Sequence, residues 1–442
     1  MPRLIKRRTV LSGLAASAAA PVFAQNLPNN PDVVIVGAGS AGLAAGQTLR
    51  DAGVSFVIVE AADRVGGRAW TESTRLGQPV DHGCSWAQSA EQNPYAFLAK
   101  RNGFTVVDHS NPGYHLYDLE ARVASSSEWD AYGKAWDVVT DQISQAGSAG
   151  KDVSIASVVP DIPYAAFVKS DMTLSYAMDM ENVSTMEWWT GGAVNPQVLV
   201  REGLGTVVAT LAEGLPISLN TAVTRIDTSG DGVAVETTNG TLRAKACLLT
   251  VSTGVLNAGR IKFTPDLPLW KQEAIANIPM GLLMKIPLMF DGARLGLNEN
   301  HWVQYNIPQD KASEALSYLA WPCGLDYLVG FAGGDFAWEL YGEGQAAVVD
   351  FALNALVRLV GGDARKHFKG GFASDWADNP HVLGAYGVVK PGAFAAREDI
   401  GKTIDNKLFF GGEATAGLLK QRVDGAYESG RANATRIVKQ LR

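Results

Sequence analysis

The chain has 442 residues, 38 of them basic and 45 acidic, for a net charge of −7. A hydrophobic share of 47% against 19% charged is too apolar for a disordered chain, and the acidic balance argues against nucleic acid as a partner. At roughly 150 residues per domain the length predicts two or three domains, and no run is long and apolar enough for a membrane span.

The first segment predicts export. Arg3, Lys6, Arg7 and Arg8 precede a mildly apolar stretch, Val10 to Ala20, and then Pro21-Val22-Phe23-Ala24, the order of a basic region, an apolar region and a small-residue cleavage site. Arg7-Arg8 resembles the pair of a twin-arginine signal, which implies a periplasmic or secreted protein. Removal of residues 1–24 would take four basic and no acidic residues, lowering the charge from −7 to −11. The alternative is a disordered basic tail.

A β-branched run, Asp32 to Val36, stops at Gly37-Ala38-Gly39-Ser40-Ala41-Gly42 and continues into a helical stretch, Leu43 to Asp51; a second apolar run, Ser55 to Val59, ends at Glu60. This order of strand, glycine turn, helix, strand and acid is a dinucleotide-binding fingerprint. Gly37 permits the tight turn, Gly39 lets backbone approach a pyrophosphate, and Gly42 lets helix and strand pack closely. Glu60 is placed to accept hydrogen bonds from a ribose. Ala61 and Ala62 then lead to Asp63-Arg64-Val65-Gly66-Gly67-Arg68, where a glycine pair allows close backbone approach and Arg68 offers a planar fork of donors to phosphate. For Arg64 a surface charge is as good a reading as a cofactor contact.

From these residues onward the chain resembles the flavin-dependent amine oxidases: monoamine oxidases, polyamine oxidases and L-amino-acid oxidases. Pro79 to Trp86 and Asn93-Pro94 look like the family segment beneath the flavin, with Trp86 a candidate substrate contact. Arg201 to Thr206 and Leu211 to Asp227 resemble its return to the cofactor domain, where the backbone at Val223 would meet the adenine. Met280 to Ile286 resembles the segment that sets a lysine, here Lys285, beside the flavin through a water. Leu408 to Thr415, with Gly412 and Glu413, resembles the second pyrophosphate and ribityl segment. Val423 to Gly430 resembles the helix whose free N–H groups face the flavin pyrimidine. Trp376 and Tyr386 match the block before Gly411-Gly412-Glu413, with Tyr386 one wall of the amine cage.

Two departures qualify the resemblance. Ala385 stands where mammalian monoamine oxidases have a cysteine bound to the flavin, which implies non-covalent FAD. Arg422 stands where the second cage aromatic is expected, and it either donates to a substrate carboxylate or turns away. Monoamine preference is therefore in doubt.

The resemblance implies an α/β protein: a Rossmann-type FAD domain built from 32–100, 201–265 and 401–442, and a mixed-sheet, helix-covered substrate domain from 101–200 and 266–400. Most of the substrate-domain tryptophans, Trp129, Trp136, Trp188, Trp189 and Trp338 among them, read as core. Three unpaired-looking cysteines and six scattered histidines predict no metal, with Cys247 a buried small hydrophobe. The implied reaction oxidises the C–N bond of a primary or secondary amine to an imine, with oxygen or a periplasmic protein as final acceptor and hydrogen peroxide formed in the first case. L-amino-acid oxidase, polyamine oxidase, a carbon–carbon desaturase and a non-catalytic flavin-bound partner are the alternatives, and the oligomeric state, a homodimer among the options, stays open.

Overall fold

The computed structural model describes residues 30–306, 308 and 314–442, so the signal-like segment lies outside the described residues. A five-stranded, all-parallel sheet runs in the order Leu408–Phe410, Ala246–Leu249, Val33–Val36, Phe56–Val59 and Ile217–Ser218. Its central strands, VVIV and FVIV, are buried at every position, as a parallel sheet covered on both faces requires. Cys247 lies in the second strand of that order and is fully buried.

Helices Ser40–Asp51 and Val423–Leu441 cover one face of that sheet side by side. They approach so closely that a Cβ on Gly430 would lie 2.0 Å from the Ala41 carbonyl oxygen. On the other face, Ile226, Val233 and Val235 of the four-stranded sheet pack on Val34, Val57 and Leu249.

The second domain is a six-stranded mixed sheet, ordered Phe368–Gly371, Leu283–Phe290, Tyr327–Gly333, Ser317–Ala320, Trp302–Tyr305 and Tyr114–Tyr117. Only the last pair is parallel. Because side chains alternate along a strand, Met284, Ile286 and Leu288 form one face and pack with Val348, Ala352 and Leu356 of helix Gln345–Val360. The opposite face carries Lys285, Phe331, Ser317, Leu319, Trp302 and Gln304, joined by the pairings Lys285↔Phe331, Phe331↔Ser317 and Leu319↔Trp302.

Val198–Val200 pairs with Trp86–Ala87 on one side and Val106–Asp108 on the other, and Phe104, Val106, Val198 and Val200 join the nucleotide-domain core. Trp129, Trp136 and Trp188, most of the five tryptophans read as core, pack among the aromatic rings of the substrate domain, while Trp189 and Trp338 are 49% and 37% exposed.

Candidate active site

The two glycine turns are knitted together. Gly66 N–H donates to the Ala38 carbonyl at 2.9 Å, and Gly39 bridges to Gly66. Gly37, Gly66, Gly67 and Gly412 all have positive φ, between 58° and 124°. Gly42 is demanded by protein packing, since a Cβ there would stand 1.9 Å from the Gly37 carbonyl oxygen. Gly39 is different: φ is −77°, and its Cβ would meet nothing closer than 3.9 Å. Neither strain nor crowding inside the protein calls for glycine there, so the missing side chain leaves a cradle for a group outside the chain. Helix Ser40–Asp51 begins behind it with no side-chain cap and no acid in its first turn, so its first N–H groups are free for an anion.

Glu60 is buried and its carboxylate receives Ala38 N–H at 2.7 Å and Ala62 N–H at 2.9 Å, which fixes its oxygens at the end of the second strand beside Ala61. Val223 lies nearby, because Asn220 and Thr221 donate to the carbonyls of Ala62 and Glu60 just before it. The Ser40 hydroxyl is used within the protein, bonded to the Val423 carbonyl at 2.7 Å and to the Tyr95 hydroxyl at 2.5 Å, so Ser40 and Ala41 are left to act through backbone. Arg64 folds back over the Trp70 ring and donates to the carbonyls of Gly67 and Val65; burial lowers its pKa. It braces the loop.

Arg68 donates to the Ala385 carbonyl at 2.7 Å and to Glu413 Oε1 at 3.0 Å, and the same Glu413 oxygen accepts Gly387 N–H at 3.0 Å. Tyr386 is thus gripped on both sides by the cradle. The other carboxylate oxygen of Glu413 is buried without a hydrogen-bond partner. An orphan acceptor of this kind costs about 1–3 kcal/mol unless a donor arrives, and a ribityl or phosphate-linked hydroxyl is such a donor. The glycine cradle, the free helix start and this oxygen together fit FAD.

Strand Met280–Gly281 pairs with Tyr386–Gly387, which ties Tyr386 to the segment bearing the lysine. Lys285 Nζ is buried and donates to Ser85 Oγ at 2.6 Å and to the Asp81 carbonyl at 3.2 Å, with the Trp86 and Phe331 rings 5.8 and 5.9 Å away. An ammonium has three protons, so one remains. Beside it is a cavity of about 20 Å³ lined in part by Asp81, Ser85, Trp86 and Phe331; a single water needs about 10–15 Å³. Burial pushes the Lys285 ammonium down and the Asp81 carboxyl up, while their attraction opposes both shifts. Asp81 also receives Thr71 Oγ1 and the N–H groups of Leu204 and Gly205, which favour its charged form.

Trp376 is 2% exposed, its indole N–H held by the His82 carbonyl at 2.8 Å, so it supports the strand beneath the site. Tyr386 donates to the Ser175 carbonyl at 2.7 Å. Trp86 donates to His109 Nδ1 and stacks on Trp302 at 5.6 Å. Arg422 turns away: it forms a two-point pair with Asp424 at 3.0 and 2.6 Å and donates to the carbonyls of Ala193 and Gln88 and to Ser89 Oγ. Its Nε and Nη2 donors are all used within the protein, and one Nη1 hydrogen is all that is left. Val423 follows as the first residue of an uncapped helix.

Sequence reading missed a buried ion cluster behind the cage. Glu187, fully buried, pairs with Arg397 at 2.5 Å and with Lys420 at 3.5 Å; Arg397 also donates to the carbonyls of Gly387 and Ala414. No local pattern connects residues 187, 397 and 420. Asp81 and Ser85 were missed as lysine partners although both stand in the quoted Pro79 to Trp86 run.

A sequence profile of flavin-containing amine oxidoreductases matches residues 40–134 and 177–438. The chain belongs to the flavin-containing amine oxidoreductase family. Polyamine oxidase 4 of Oryza sativa subsp. japonica is 29% identical over 95% of this chain and 91% of its own length. Polyamine oxidase 2 of Arabidopsis thaliana is 30% identical over 91% of this chain and 86% of its own. Putrescine oxidase with bound putrescine shares the fold, with a TM-score of 0.76 at 22% identity over 93% of this chain and 99% of that one. As a member of this family the protein is a flavin-dependent oxidoreductase acting on amines, with the α/β architecture described above.

Proposed function

We propose that the protein is an exported amine oxidase that holds FAD without a covalent bond and converts a small amine to an imine, with oxygen as electron acceptor. The observation that carries this reading is the grip on Tyr386: Ala385 and Gly387, on either side of it, are both tied to the Arg68–Glu413 pair of the cofactor cradle. A cage wall fixed to the cradle places an amine where it can react.

FAD, held by the glycine cradle, would supply the acceptor for the hydride lost from the amine-bearing carbon while the nitrogen gives up a proton as C=N forms, and these two electrons and two protons would reduce oxygen to hydrogen peroxide. The imine then takes up water and releases ammonia or a smaller amine and a carbonyl compound. Tyr386, with its hydroxyl occupied by Ser175, offers its ring face to the neutral amine rather than a proton. Lys285 holds a water with its third N–H. No strong base is required of the chain, because the substrate gives up its ammonium proton on leaving bulk water. Ala385 brings no thiol, and burial keeps the half-buried Cys84 protonated with its pKa pushed up to about 12, so neither forms a flavin linkage. The L-amino-acid alternative loses its anchor in Arg422, which is committed to Asp424.

Anaerobic mixing with a panel of amines and amino acids tests the reading: amines should bleach the flavin absorbance, and failure of every amine would overturn it. Lys285→Met should slow reoxidation at least tenfold while flavin content holds; unchanged rates in both half-reactions would remove its role. Acid precipitation should leave a colourless pellet. N-terminal sequencing of the secreted or periplasmic form should start near Gln25, and a retained Arg7-Arg8 would contradict export.

A further inference from the structure

The buried cluster behind Tyr386 contains a guanidinium that grips the chain beside two residues of the site. Arg397, 8% exposed, points Nε and one Nη2 hydrogen at Glu187 Oε1, at 3.0 and 2.5 Å. Its other Nη2 hydrogen goes to the Gly387 carbonyl at 2.7 Å, and one Nη1 hydrogen goes to the Ala414 carbonyl at 3.1 Å. Gly387 follows Tyr386 in the chain, and Ala414 follows Glu413. Four of the five guanidinium hydrogens are therefore used, two of them on backbone next to the amine cage and the cofactor cradle.

These bonds close a ring. Gly387 is held through its N–H by Glu413 Oε1 and through its carbonyl by Arg397, and Arg397 also holds the residue after Glu413. Gln421 Nε2 is a second donor to the Gly387 carbonyl, at 3.2 Å. Glu187 accepts Val389 N–H at 2.9 Å, so the anion that orients the guanidinium is tied to the same segment as Tyr386.

Stability alone does not account for such a group, because apolar side chains of similar volume in place of a buried ion pair often leave a protein as stable or more so. What an apolar residue cannot do is reach two carbonyls and a carboxylate at once. Lysine cannot do it either: its ammonium is a compact charge without the planar fork. The fork thereby sets how far the Tyr386 segment stands from the Glu413 segment.

We propose that Arg397, with Gln421 beside it on the Gly387 carbonyl, is a positioning residue for amine oxidation: acting through backbone, it sets the Tyr386 ring at its distance from the cradle at Glu413. The proposal rests on the amine-oxidase reading, in which Tyr386 is a wall of the amine cage. A shift of about 1 Å in a group that orients substrate costs on the order of a hundredfold in rate, so loss of the fork should act on flavin reduction. Reoxidation on the Lys285 side, which none of these bonds reaches, should be spared.

The test compares the flavin-loaded full chain as wild type, Arg397→Lys and Lys420→Met. Arg397→Lys keeps the charge opposite Glu187 and loses the fork. Lys420→Met alters the same cluster, but Lys420 pairs with Glu187 and donates to Thr190 Oγ1, with no bond to Gly387 or Ala414. In Arg397→Lys the limiting rate of anaerobic flavin reduction by amines should fall roughly tenfold to a hundredfold, reoxidation of the photoreduced flavin should stay close to wild type, and amide hydrogen exchange in the peptide around Gly387 should quicken. Lys420→Met should leave all three close to wild type. An unchanged reduction rate in Arg397→Lys, or an equal slowing in Lys420→Met, overturns the proposal. If Arg397→Lys does not fold with flavin, Gln421→Leu, at a half-buried position, takes its place: slower reduction with faster exchange around Gly387 supports the ring, and wild-type values for both end it. If no amine reduces the wild-type flavin, the oxidase reading fails instead and exchange alone decides: faster in Arg397→Lys than in Lys420→Met supports the hold on the Tyr386 segment, equal rates end it.

Discussion

Replacing Glu187 by Gln should destabilise the protein most at neutral pH and progressively less as the pH rises. Glu187 is the anion between two buried cations, with side-chain exposures of 0% for Glu187, 6% for Arg397 and 4% for Lys420. Gln would still accept Val389 N–H and one Arg397 donor through its oxygen, but its NH2 would face Lys420, leaving two positive charges without a counter-charge. Breaking a buried pair from one side costs about 3–5 kcal/mol, or two to three and a half decades in the folded-to-unfolded ratio. Lys420 offers an escape, because it can deprotonate. Burial already lowers it below its ordinary 10.5, and without Glu187 it falls further. A lysine whose folded pKa is depressed binds fewer protons in the folded than in the unfolded state across that interval, so stability rises with pH up to the unfolded value. The penalty should shrink as the pH rises toward the unfolded value. Urea unfolding followed by tryptophan fluorescence at several pH values, wild type beside variant, measures it. A loss under 1 kcal/mol at pH 7, or one that grows with pH, would refute the account of a cluster held by one anion.

Gly42→Ala sets a methyl 1.9 Å from the Gly37 carbonyl oxygen. The crowding should cost about 1–3 kcal/mol and distort the first glycine turn, seen as a lower flavin-to-protein absorbance ratio; a fully loaded variant with unchanged melting would contradict the packing role. Arg422→Met strands Asp424, 4% exposed in the first turn of the last helix. Its cost should be about 1–3 kcal/mol, the helix N-terminus offsetting part of the lost pairing, with no change in the preference for amines over amino acids. A selective loss of amino-acid turnover would show that Arg422 meets substrate after all.

What could be read from sequence follows from how local each feature is. The cradle was legible because strand, turn, helix and Glu60 fall within one short run whose spacing reflects one supersecondary unit. Lys285 stood out as a charge in an apolar strand. Arg422 was ambiguous by motif, although Asp424 two residues on was a visible partner. Glu187 with Arg397 and Lys420 was invisible: each is an ordinary surface-type residue until the mixed sheet and its covering helices bring distant segments together. The three-stranded sheet is hidden for the same reason, since Trp86–Ala87 finds its partner at 198–200, which pairs in turn with 106–108.

The bond from Ser40 to the Val423 carbonyl spans 383 residues of chain. The glycine-led helix is made long before the helix that Gly430 lets nest against it. During synthesis the nucleotide half must therefore wait, its first helix showing an uncovered flank until the nineteen-residue helix Val423–Leu441 arrives. Nascent chains lacking that helix should fail to retain flavin however much of the catalytic segment they contain, which makes cofactor capture a report that the two distant helices have met.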